Sequence, residues 1–149
     1  HGTPAKELAL VTYLLDANVW LEVIADRAHA GEVQTFIKRA VAGTLATTDY
    51  AVHSVGLYLY RDAPDAFREF LDDLVRLRIN TLHLAPPALF AVLDVANQYH
   101  LDFDDAFQYV AAERSDLQIV SLDADFDRTP RGRLTPAQAL AQLRNGEKS

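Results

Sequence analysis

The sequence contains no cysteine and no methionine. Without cysteine there is no disulfide, no thiolate zinc site and no cysteine nucleophile, which is consistent with a reducing cytoplasm. No apolar run approaches the roughly 20 residues that a membrane-spanning helix needs, and the start carries no secretory signal pattern; the expectation is a soluble, cytoplasmic chain with no membrane partner. Positive charge is scarce: 14 Lys and Arg face 21 Asp and Glu, a formal net charge of −7. A basic footprint is the usual mark of a nucleic-acid binder, so the overall balance counts mildly against one unless the carboxylates crowd around a cation. The basic residues present gather at Lys38-Arg39, Arg76-Arg78 and Arg128-Arg131-Arg133, which read as solvated faces.

Half of the 149 residues are hydrophobic, enough for a substantial core at one domain's length. His1 to Glu7 read as the remnant of an affinity tag and linker. Residues 1–9 are therefore set aside, a native start near Val11 is expected, and 10–149 are expected to form a single domain. No repeat, low-complexity segment or interdomain linker interrupts it.

Short apolar runs alternate with helical patterns. Strands are predicted at Leu10–Leu15, Thr44–Thr47, Ile79–Leu84 and Leu117–Ser121. Helices are predicted at Ala17–Ala25, Gly31–Ala42, Asp49–Tyr60, Asp65–Leu77, Ala88–His100, Phe103–Ser115 and Ala137–Leu143. In the second helix Val33, Phe36, Ile37 and Val41 make the apolar face, and in the fourth Phe67, Phe70, Leu71, Leu74 and Val75 do so. Thr135-Pro136 predicts a capped start for the last helix. Strands alternating with helices imply an α/β fold with a mostly parallel sheet covered on both faces. Chemistry in such sheets gathers at the carboxyl ends of the strands.

Three acidic places fall at that edge. Asp16 ends the first strand in LLDANVW, Asp123 follows the last strand in IVSLDADF, and Asp104 and Asp105 open a helix in LDFDDAFQYVAA. Clustered carboxylates repel one another and are costly to bury. A hard cation such as Mg²⁺ or Mn²⁺ removes the repulsion, being held by one or two carboxylates, water and substrate phosphate. Such an ion activates water against a phosphodiester. Each acid also has a purely structural reading: Asp16 as a helix cap, Asp123 as a turn cap, and Asp104 and Asp105 as helix-dipole partners.

Taken together and in order, these segments resemble the PIN domain, a family best known from VapC-type toxins of bacterial toxin–antitoxin pairs. LLDANVWLEVI is similar to the family's opening strand and Asp-x-Asn motif, LDFDDAFQYVAA to its helix beginning with Asp-Ala, and IVSLDADF to its strand followed by Thr/Ser-x-Asp-x-x-Phe. The resemblance spans about Leu10 to Thr135. It implies a three-layer α/β/α fold and a ribonuclease dependent on Mg²⁺ or Mn²⁺, with RNA as substrate. It also implies a small antitoxin as partner and a homodimer. Carried over by motif, Asp16, Asp105 and Asp123 become the catalytic metal carboxylates and Asp125 a lesser acidic member. Asn18 and Ser121 become supporting residues, and Asp104 is disfavoured as a ligand because the position before Asp-Ala is usually not one.

One position departs from the family pattern. A glutamate is usual on the helix after the second strand, and in TTDYAVHSVGLYL that place falls at His53 or Ser54. The nearest acid, Asp49, lies more than one turn earlier and reads as an N-cap. Three arrangements follow: water completes the metal shell, His53 ligates a softer ion such as Mn²⁺, or the site is weakened and the domain binds RNA or protein without cutting. His83 and His100 read as strand-end and helix-end residues, and Trp20 as core with a base-stacking contact as its alternative. A phosphatase or receiver-like reading needs a lysine beside the acids, but the only lysines are Lys6, Lys38 and Lys148, in probable tails and mid-helix.

Overall fold

The computed structural model describes residues 10–147; the expected tag remnant over 1–9 lies outside them. Four short strands, β1 (Tyr13–Leu15), β2 (Leu45–Thr48), β3 (Asn80–Leu82) and β4 (Gln118–Val120), form one sheet in the order β3-β2-β1-β4. Every pairing is parallel. The helices described are α1 (Ala17–Ile24), α2 (Ala30–Arg39), α3 (Asp49–Leu59), α4 (Pro64–Arg76), α5 (Pro86–Tyr99), α6 (Phe103–Ser115) and α7 (Pro136–Glu147). A 3-10 turn over Ala124–Arg128 follows β4.

The two-residue period of the strands sorts the core into layers. Tyr13, Leu15, Leu45 and Val120 point to one face, where they pack with Val19, Trp20, Phe36, Val55 and Phe70 of α1 to α4 and with Leu140 of α7. Leu14, Ala46 and Ile119 point to the other, against Tyr109 and Ala112 of α6 and the buried Phe126. Val92 of α5 and Val110 of α6 seal a third cluster between those two helices. The result is the expected three-layer α/β/α arrangement, and each fully buried aliphatic or phenyl side chain contributes roughly 1.5–3 kcal/mol.

Local chemistry sets the boundaries. Proline occupies the first turn of α4 and α5, where a missing N–H costs nothing. Thr135 and Gln138 form a reciprocal capping pair at the start of α7: the Gln138 N–H donates to Thr135 Oγ1 and the Thr135 N–H to Gln138 Oε1. His100 and Asp116 take left-handed backbone conformations that end α5 and α6.

Three expectations change. Asp49 is not the cap of α3. Thr48, one residue earlier, accepts the Ala51 N–H at 2.9 Å, and Asp49 is already helical. Val41 does not continue the apolar face of α2, because that helix ends at Arg39 with Ala40 extended, and Val41 is 64 % exposed. Leu71 and Val75 share the period of Phe70 and Leu74 but line an open apolar groove between α3 and α4, and Val75 is 80 % exposed. Among the described residues no helix is long and apolar enough to cross a membrane.

Candidate metal centre

Asp16 continues the β1–β4 ladder one residue past the end of β1: its N–H donates to the Val120 carbonyl at 3.0 Å. That places it at the carboxyl edge beside Ser121, the residue that leaves β4. Two residues further, Asp123 caps the 3-10 turn by accepting the Asp125 N–H at 2.8 Å. Arg133 steadies this turn from the far side, gripping Asp127 through two nitrogens and donating to the Ser121 carbonyl. The left-handed His100 turns the chain from α5 into α6, whose first turn carries Asp105 to the same edge.

One carboxylate oxygen from each of Asp105, Asp123 and Asp125 lies within 4.8 Å of the other two. Asp105 is buried and Asp123 and Asp125 are half-buried. Burial, followed by a hydrogen bond to Asp123 and the negative charges of Asp123, Asp104 and Asp16, pushes the Asp105 carboxyl up to about 8. Asp105 is therefore the member of the group that holds a proton near neutral pH. Asp16 is not one of these three, but its charge adds to the upward shift of Asp105.

Asp16 is held by four donors. Ala17 N–H and Gln108 Nε2 donate to Oδ1 at 2.8 and 3.1 Å. Ser121 Oγ and Asn18 Nδ2 donate to Oδ2 at 2.8 and 3.4 Å. Burial raises its pKa, while the bonds from Gln108, Ser121 and Ala17 oppose that shift and the Asp123 charge adds to it. Asn18 also ties the strand ends together, donating to Ser121 Oγ and accepting the Leu122 N–H. Asp16 and Asp123 each cap an element, and the charge of Asp123 adds to the upward shift of Asp16.

The uncertain positions separate by helix face. Asp49 and His53, four residues apart on α3, line the apolar groove with Leu71 and Val75. Among the described residues neither joins a group of acidic or histidine side chains close enough to hold a metal. Tyr50 and Ser54 share the next face. Burial raises the Tyr50 hydroxyl, the charges of Asp104, Asp105 and Asp16 add to the shift, and a hydrogen bond from Ser54 opposes it. Tyr50 is therefore the α3 residue that feels the acids, and Ser54 is its hydrogen-bond partner. Asp104 is exposed, accepts the Asp105 N–H at 3.1 Å, and forms a second, outer acidic group with Asp102 and Asp105. Trp20 is core: its indole N–H donates to Thr47 Oγ1 and its ring meets Phe70 edge-on.

Sequence reasoning missed Gln108, Thr48 and Tyr50. Gln108 had a signal: it is the lone strongly polar side chain in AFQYVAA and lies three residues after Asp105, on the same helix face. Thr48 was legible from strand alternation, two residues beyond Ala46, which faces α6.

The donor set fits a hard divalent cation. Every ligand atom on offer is a carboxylate oxygen, as Mg²⁺ and Mn²⁺ prefer, and burial first, with neighbouring negative charge adding to it, raises Asp105.

A parallel three-layer sheet with carboxylates gathered at its carboxyl edge defines a narrow class of α/β proteins. The PIN-domain model matches residues 13–132, and the chain belongs to the PIN-domain family, whose members are in general nucleases. PAE2754 from Pyrobaculum aerophilum is similar in structure at 25 % identity and a TM-score of 0.65, over 91 % of this chain and 90 % of that one. A toxin–antitoxin complex from Klebsiella pneumoniae is similar at 17 % identity and a TM-score of 0.70, over 84 % and 98 %. VapBC2 from Rickettsia felis, bound to a DNA fragment from its promoter, is similar at 12 % identity and a TM-score of 0.64, over 83 % and 97 %. No curated protein matches the sequence significantly.

Proposed function

We propose that this chain is a divalent-metal-dependent endoribonuclease and the toxin of a VapBC-type toxin–antitoxin pair, acting as a homodimer. The carrying observation is the convergence of one carboxylate oxygen each from Asp105, Asp123 and Asp125 within 4.8 Å, with the charge of Asp16 acting on Asp105. These residues would hold Mg²⁺ or Mn²⁺. A bound ion supplies a Lewis acid for a phosphoryl oxygen and lowers the pKa of water. The chain's own part is orientation: Ser121 and Asn18 fix one oxygen of Asp16, and the Asp123 cap holds Asp125 in place. Likeness to a toxin–antitoxin complex and to VapBC2 supports an antitoxin partner.

A second reading, a PIN domain that binds RNA or protein without cutting, rests on Ser54. It bonds to Tyr50, whose hydroxyl feels the charges of the acids, and brings no carboxylate. Incubation with a mixed RNA pool in Mn²⁺, with and without EDTA, separates the two. Defined cut ends that vanish with EDTA support the nuclease. Intact RNA retained on the protein supports the binding module.

A further inference from the structure

We infer that Gln108 and Thr48 form a one-way hydrogen-bond relay that orients Asp16 for cation binding, making both of them positioning residues; this rests on the acids being a metal site. Three interior side chains are joined in line. The Ala51 N–H donates to Thr48 Oγ1 at 2.9 Å, Thr48 Oγ1 donates to Gln108 Oε1 at 2.6 Å, and Gln108 Nε2 donates to Asp16 Oδ1 at 3.1 Å. Thr48 is 0 % exposed, Gln108 2 % and Asp16 8 %, so bulk water does not substitute for any link.

The direction of the relay is dictated by its first member. A peptide N–H can only donate, so the Thr48 oxygen must accept from Ala51 and its single proton is left for one other acceptor. Gln108 Oε1 is that acceptor. The amide is thereby turned with Nε2 towards Asp16, and a carboxylate, which only accepts when ionised, fits that end alone. The reversed amide would set oxygen against oxygen at Asp16 and leave the Thr48 proton facing an NH₂ group. The N-terminus of α3 thus reaches the end of β1 through β2 and α6, and it selects the orientation of the Asp16 carboxylate.

Packing alone does not call for this arrangement. An unbranched apolar side chain of similar length would occupy the buried space at 108 without burying an amide, a group that is costly unless bonded. The amide has a partner at each end only because Asp16 lies at one end and Thr48 at the other.

The test uses Gln108→Met, which keeps the shape and removes both polar ends, and Thr48→Val, which leaves Gln108 in place and removes the proton that orients it. Free Mn²⁺ is followed by electron paramagnetic resonance during titration of the whole chain, with urea unfolding in parallel. The relay predicts Mn²⁺ affinity weakened by about 10–100-fold in each variant, the usual consequence of losing a partner behind a metal ligand. Thr48→Ser, which retains the hydroxyl, restores binding. A purely structural role moves the unfolding midpoint and leaves affinity alone, so folded variants that bind Mn²⁺ like the parent overturn the relay. Should Gln108→Met fail to fold, Thr48→Val and its serine rescue decide the matter. A parent chain that binds no Mn²⁺ overturns the metal reading itself and the relay's role with it, an outcome distinct from the variants alone being silent.

Discussion

Removing protons from the acidic cluster is the perturbation whose effect follows most directly from the geometry. Asp105 is pushed up to about 8 by burial and by its acidic neighbours, and burial moves Asp16 in the same direction. A cation binds the ionised cluster, so below that value binding must first expel a proton. For one proton with a pKa near 8, apparent Mn²⁺ affinity rises about 50-fold between about pH 6 and pH 8, then levels off. About 0.9 proton leaves per ion bound near pH 7. Isothermal titration in two buffers of different ionisation enthalpy measures both quantities. The stability of the metal-free chain should run the opposite way. The folded pKa of Asp105 lies above its ordinary value of 3.8, so the folded state holds the proton more tightly than the unfolded one. Metal-free stability therefore falls as pH rises between those two values, and Mn²⁺ restores it most at the alkaline end. Affinity that is flat over this range, with no proton released, would refute the claim that crowded carboxylates form the site.

Asp105→Asn and Asp123→Asn should each abolish measurable Mn²⁺ binding, whereas Asp104→Asn, at an exposed position, should change affinity less than about threefold, checked by the same titration. His53→Ala should leave Mn²⁺ affinity unchanged, since that side chain lines the α3–α4 groove; a large loss would return it to the metal shell. Phe126, fully buried beneath the turn that carries Asp125, should cost about 3–5 kcal/mol on replacement by alanine in urea unfolding. Metal affinity should weaken in the same variant, because the cap that places Asp125 loses its anchor.

Much of the fold was legible because its signals are periodic. All four strands and all seven helices fall where short apolar runs and three-to-four spacings put them, and the prolines and Thr135 mark helix starts as capping chemistry requires. The acidic edge was legible for a related reason: parallel strands send their carboxyl ends one way, so Asp16 and Asp123 had to meet there. What escaped depends on competition between neighbours. In Thr47-Thr48-Asp49 each residue can cap a helix, and the end of the β2 ladder decides that Thr48 does so. Leu71 and Val75 carry the right period, but period cannot tell a helix face that meets the core from one left open as a groove. The arginines at 128, 131 and 133 read as a solvated group, yet each is paired across the loop after β4, with Asp125, Asp116 and Asp127. The relay escaped because a buried glutamine inside an apolar window resembles a tolerated exception until its two partners are seen.

The most direct test of the central claim is the anomalous-difference map of a crystal soaked in Mn²⁺. The account predicts one strong peak at about 2.1 Å from carboxylate oxygens of Asp105 and Asp123, on the side facing Asp125 and Asp16. A peak at the outer group of Asp102 and Asp104 instead, or no peak at a concentration that supports RNA cleavage, would contradict it.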